Sequence, residues 1–167
     1  TAVYFKERFS IPESLEEIKS TWMDMARDKY TNKVPLKPGA REFLVWLRQQ
    51  GIRTGIASSN GIELVETVLK AQGIQEYLES VHTCCEVPKG KPAPDIYLLV
   101  AETLGVKPEE CLVFEDVPMG ILAGKNAGMR VCAVEDTFSA SQREEKKELA
   151  DYYIESYDEI PRERMQP

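Results

Sequence analysis

The chain has 167 residues, 43% of them hydrophobic and 29% charged, and carries a net charge of −7. That is enough for one packed core plus an appendage, in the proportions of a soluble globular protein. The negative charge argues against nucleic acid or an anionic membrane as a partner, and no apolar run approaches the roughly 20 residues that span a bilayer.

Residues 1–32 read as helical and set apart from the rest of the chain. Ser10 and Glu13 have capping-box spacing. Leu15, Ile18, Trp22, Met25 and Lys29 recur at three- and four-residue steps, an amphipathic stripe suited to core packing. The stretch Lys33-Val-Pro-Leu-Lys-Pro-Gly39 cannot continue a helix and sets a domain boundary, with residues 1–34 on one side and 35–167 on the other.

Beyond the boundary, helix and strand alternate. Ala40, Phe43, Leu44 and Leu47 form a helix face that ends at Gly51, and residues 52–57 form a strand running into Ser58-Ser59-Asn60-Gly61. Leu64, Val65, Val68 and Leu69 make the next face, closed by Gly73. A short strand near residues 81–83 leads to Lys89-Gly-Lys-Pro-Ala-Pro-Asp95, and the helix over 95–104 stops at Gly105. Cys111-Leu-Val-Phe114 is apolar, suits a buried parallel strand and ends in Glu115 and Asp116. Pro118 suits a first helical turn. Gly120, Ala123, Gly124 and Ala127 then give a face almost without side chain, before the stop at Asn126-Ala-Gly128. A strand at 130–134, a charged helix over 140–149 and an edge strand at 152–154 complete the pattern. The mixed-sign run 142–148 reads as a solvated helix face. Such alternation predicts an α/β fold, a three-layer Rossmann-like parallel sheet.

Three polar clusters fall at strand ends or helix starts on one side of that sheet, where open α/β sheets bind ligands. Ser58, Ser59 and Asn60 offer hydroxyls and N–H groups at a helix N-terminus, an anion cradle. Lys91, between Gly90 and Pro92, offers a point charge. Glu115 and Asp116 offer hard oxygens for Mg²⁺, which keeps waters and shares phosphate oxygens. Serines after a strand commonly just cap helices, and a Lys-Pro pair is commonly surface. In this order and together they point to metal-assisted phosphoryl transfer. His82 is the single histidine, which excludes two-histidine chemistry, and it is expected to pack at a strand end. Cys84, Cys85, Cys111 and Cys132 show no zinc-like spacing and read as free thiols of a reducing cytoplasm. No GxGxxG follows a strand, against dinucleotide binding.

Ile56-Ala-Ser-Ser-Asn60, Gly90-Lys-Pro-Ala-Pro-Asp-Ile-Tyr97 and Val113-Phe-Glu-Asp-Val-Pro-Met-Gly120 resemble motifs II, III and IV of the haloacid dehalogenase superfamily. As a set they resemble its β-phosphoglucomutase-like branch, over about residues 37–134. The resemblance implies a HAD-like core with a partial helical cap in residues 1–34. It further implies a Mg²⁺-dependent phosphatase acting on a small phosphorylated metabolite such as a sugar phosphate, or a phosphomutase on the same core. Ser58 would bind the transferred phosphoryl group with Ser59 and Asn60 in support, and Lys91 would stabilise its charge. Asp116 would ligate Mg²⁺, and Glu115 would assist directly or through a water. A metal-free dehalogenase is disfavoured by the paired acids.

The family's first motif, DxDGT/V, lies on the strand between those bearing Ser58 and Asp116 and has no counterpart here. Glu7, Glu13, Glu16, Glu17, Asp24 and Asp28 sit in helical, polar contexts, and none follows an apolar strand. The nucleophilic aspartate, its acid/base partner and the central strand are therefore expected from a segment upstream of these residues, or from a second or swapped chain. The 167 residues alone are expected to be inactive. A catalytically dead binding module is the competing reading.

Overall fold

The structure is a computed structural model that describes residues 2–162. The N-terminal stretch is two helices, α1 (Ala2–Phe9) and α2 (Leu15–Asn32). The capping box that starts α2 is Ser14 with Glu17: Ser14 Oγ accepts from Glu17 N at 3.2 Å, and Glu17 Oε2 accepts from Ser14 N at 2.8 Å. The expected box from Ser10 and Glu13 does not form, because Ser10 sits in the turn after α1 at φ 51°, whereas a capping residue needs extended backbone. Of the apolar stripe, Ile18 is buried and Trp22 meets the edge of Phe5 at 5.3 Å. Met25 and Lys29 stay exposed, since α2 meets the rest of the molecule along one side, against α4 (Ile62–Gln72).

After the proline-bearing segment come α3 (Ala40–Gln49), β1 (Gly55–Ser58), α4, β2 (Ser80–Thr83), α5 (Asp95–Leu104), β3 (Leu112–Glu115), α6 (Pro118–Asn126), β4 (Arg130–Val134), α7 (Arg143–Leu149) and β5 (Tyr152–Ile154). All strand pairs are parallel, and the fold is the expected α/β class. The strands fall into two sheets, β1-β2 and β3-β4-β5. Among the described residues no strand joins β1 to β3.

Alternation along each strand makes the layers. Val113, Val131 and Ala133 pack against Ile96, Tyr97 and Ala101 of α5 and Ile121 and Ala123 of α6. The opposite faces carry Phe114, Cys132 and Val134, with Phe114 set edge-on to Phe43 of α3 at 5.4 Å. On the smaller sheet Ile56 and Val81 meet Val65 and Leu69 of α4. The near-bare face of α6 serves close packing: a Cβ on Gly124 would lie 2.7 Å from Val131 Cγ2. His82 occupies β2, with Nδ1 2.8 Å from Glu86 Oε2 and Nε2 2.9 Å from Thr103 Oγ1, and so ties the strand to α5. All four cysteines are free, and burial pushes the Cys132 thiol up to about 11. Among the described residues no helix is long and apolar enough to cross a membrane.

Candidate active site

The ends of β1 and β3 open into a cleft of about 380 Å³. Ser58, Ser59, Lys91, Glu115, Asp116 and Lys37 line its mouth, and its walls descend between the two sheets, Ile56 and Ala57 facing Phe114 and Val134. Five of the six residues read from the sequence as site residues therefore meet in one place. Asn60 does not line the cleft: its side-chain amide donates to the Tyr30 hydroxyl of α2 at 3.2 Å. Its backbone N–H donates to Ser58 Oγ at 3.1 Å, which fixes the loop that carries the serines.

Lys91 bridges the two sheets. Its Nζ donates to the Ala57 carbonyl of β1 at 3.1 Å and pairs with Glu115 Oε1 at the end of β3. It also lies 4.8 Å from the centre of the Tyr97 ring, a cation–π contact. The Tyr97 hydroxyl donates to the same Glu115 oxygen. Burial, and next the neighbouring Glu115 charge, push the Tyr97 phenol well above its ordinary range, so it remains a donor. The Lys91 and Glu115 side chains are only 12% and 10% exposed. Gly120 makes room for the acid, since a Cβ there would lie 2.2 Å from Glu115 Cδ. Glu115 is thus committed to Lys91 and Tyr97 through one oxygen.

Asp116 is the acid open to the cleft, its side chain 40% exposed. Lys37 Nζ stands 3.7 Å from Asp116 Oδ2 while pairing with Asp136 and donating to the Glu135 carbonyl at 3.1 Å. The ammonium beside Asp136 holds its carboxyl below the usual carboxylate range. Among the described residues no group of three or more acids, histidines or cysteines gathers to hold a metal. One or two carboxylates, with waters and substrate phosphate oxygens, are nonetheless the usual Mg²⁺ set. Asp116, a hard oxygen donor facing a cleft lined by serines and lysines, fits that role.

The sequence reading missed Tyr97, Lys37 and a cluster behind Asp116. The run 142–148 is not wholly a solvated face, because Lys146 is fully buried. It sits three residues before Leu149 and four before Ala150, both packed toward the core, and that spacing was the available signal. Its neighbour Glu135 accepts from Arg143 NH2 at 2.7 Å, from the Tyr153 hydroxyl, and from Lys146 Nζ at 3.3 Å. These contacts, Arg143 foremost, pull the Glu135 carboxyl down to about 2 from 4.5. A depressed folded value stabilises the protein above about 4.5, and that contribution fades as pH falls toward 2. Glu135→Gln is therefore expected to flatten the decline in Tm between those pH values. An unchanged slope in thermal denaturation would remove Glu135 from the acid response.

With the geometry in place, comparison with known proteins defines the class. A family model described as a haloacid dehalogenase-like hydrolase matches residues 5–128, and the chain belongs to that family. Hexitol phosphatase B of Escherichia coli (strain K12) is 32% identical over 126 residues, 75% of this chain and 57% of that protein. The phosphorylated carbohydrates phosphatase of Thermotoga maritima is 32% identical over 123 residues, 74% and 57% of the two. Among solved structures, a CbbY variant from Rhodobacter sphaeroides in complex with xylulose-1,5-bisphosphate has a TM-score of 0.79 at 25% identity, covering 90% of this chain and 67% of that one. A β-phosphoglucomutase from Clostridium difficile, at 24% identity and a TM-score of 0.73 over 91% and 63%, supports the fold alone. The chain spans about half the length of the curated relatives it matches.

Proposed function

We propose that this chain is the larger part of a Mg²⁺-dependent phosphatase for a small phosphorylated metabolite such as a sugar phosphate. The observation that carries the reading is the convergence of Ser58, Lys91 and Asp116 on one cleft, with the slot between β1 and β3 opening beneath it. An aspartate at the end of a strand in that slot would attack the phosphorus and break its bond to the substrate oxygen, which takes a proton from a second aspartate two residues on and leaves as the alcohol. Water would then cleave the aspartyl-phosphate to regenerate the carboxylate and release phosphate. Residues 1–34 act as part of a cap over the cleft.

Ser58 and Ser59 hold the phosphate oxygens, and Lys91 stabilises the charge that builds on the transferred group. Asp116 would hold Mg²⁺, with Glu115 acting through Lys91 or a water. The cation supplies charge neutralisation at the phosphate. A phosphomutase would use the same core and return the phosphoryl group to a second hydroxyl. The hexitol phosphatase and the phosphorylated carbohydrates phosphatase among the relatives favour hydrolysis.

In a polypeptide that includes the slot strand, Asp116→Asn is expected to lower phosphate release by about 10²–10³-fold and to raise the Mg²⁺ concentration needed for half-maximal rate. Unchanged turnover with unchanged metal dependence would sink this assignment of the cation end.

A further inference from the structure

We infer that Ser139 and Lys146 are positioning residues for Asp116, an inference that rests on the cation reading above. Lys146 is 0% exposed on a short helix whose other charged residues face solvent. A buried ammonium is tolerated only when its donors are met. Here Nζ donates to Ser139 Oγ at 2.9 Å, to Glu135 Oε2 at 3.3 Å and to the Val134 carbonyl at 3.3 Å. Ser139 is itself 2% exposed, and its hydroxyl donates to the backbone carbonyl of Asp116 at 2.6 Å.

The direction of this chain of bonds is fixed without seeing a proton. An ammonium can only donate and a carbonyl can only accept, so the one Ser139 proton must point at Asp116. Each bond then polarises the next. The β3–β4 ladder ends at Glu115 opposite Ala133, so Asp116 lies just past the last strand pairing. The Ser139 bond holds the peptide plane there and with it the direction in which the carboxylate leaves the backbone. The same loop acts on the carboxylate side as well, through Asp136 and Lys37. A hydrophobic residue at 146 would pack on the core without the desolvation a buried charge entails. What the lysine supplies instead is orientation at Asp116. Groups that orient a metal ligand commonly contribute 10–100-fold in affinity.

The test is Mn²⁺ binding to the polypeptide that includes the slot strand, read by water-proton relaxation, alongside Tm without metal. Wild type should bind Mn²⁺ through Asp116, with binding lost in Asp116→Asn. Ser139→Ala should lower metal-free Tm by a few degrees, because it takes one acceptor from the buried Lys146. It should weaken Mn²⁺ binding about 10-fold or more in protein that is still folded; Ser139→Thr should restore most of the affinity. Lys146→Met should act in the same direction, and because a substitution at so buried a position can itself prevent folding, Ser139 carries the decision. Wild type that binds no Mn²⁺, or binds it equally in Asp116→Asn, overturns the cation reading and this inference together. Asp116-dependent binding that Ser139→Ala leaves intact overturns this inference alone.

Discussion

Lys91→Met is expected to lose both activity and stability, and adding Glu115→Gln is expected to return only the stability. The Lys91–Glu115 pair is almost sealed from water. Removing the lysine leaves the carboxylate with the Tyr97 hydroxyl as its remaining partner on the shared oxygen. Breaking a buried pair from one side costs about 3–5 kcal/mol, whereas replacing both partners by neutral groups is often close to neutral. Tm should therefore fall sharply in the single variant and recover most of the way in the double. Turnover obeys a different rule, since the charge that meets the phosphoryl group is absent from both variants. Loss of one such preorganised group costs about 10²–10³-fold. Thermal denaturation and phosphate release, measured in a polypeptide complete in the sheet, separate the two effects. A double variant that regains turnover would make Lys91 a staple between the sheets and not part of the chemistry.

The pair also shows where the sequence could be read and where it could not. Elements with clear punctuation came out with their bounds: α5 between Pro94 and Gly105, and β4 and β5 after Gly128 and Ala150. Strand β1 spans Gly55–Ser58 and not residues 52–57, since its ladder with β2 runs from Gly55 opposite Ser80 to Ser58 opposite Thr83. At the site, both Glu115 and Asp116 were read as oxygens for Mg²⁺, Asp116 as the ligand and Glu115 as assisting it directly or through a water. Alternation along β3 sends neighbours to opposite faces. Glu115 shares the face of Val113, toward α5 and α6, where Tyr97 and Gly120 receive it at the cleft's edge; Asp116, one residue past β3, is the more exposed of the two. That distinction was available from spacing. The partners were not: Tyr97 closed the Gly90–Tyr97 stretch but was given no role, and no local pattern says that Lys37 meets Asp136 from a distance of 99 residues. Lys146 is a different case: it was legible from its three- and four-residue spacing to Leu149 and Ala150, but the mixed-sign run around it read as solvated.

Supplying a strand between β1 and β3 is expected to have the largest effect of all. The two sheets stop at these strands, and their outer edges line the cleft with no strand partner among the described residues. Backbone groups on such edges must find water or another strand, and the walls below the mouth are apolar at Ile56, Ala57, Phe114 and Val134. An apolar strand ending in Asp-x-Asp would meet both demands and place a carboxylate beside Lys91 and Asp116. These 167 residues alone should then release no phosphate above background from sugar phosphates with Mg²⁺. The same residues joined to such a strand, or mixed with it as a separate peptide, should gain at least about 10⁴-fold, the scale on which nucleophiles act. Hydrogen exchange gives an independent readout. Amides of β1 and β3 that do not donate to β2 or β4 should exchange fast in the chain alone and become protected when the strand is present. Turnover by the chain alone at the rate of the completed protein would refute the missing nucleophile. Protection already present on both edges would mean the slot closes on itself, and the dead-module reading would then stand.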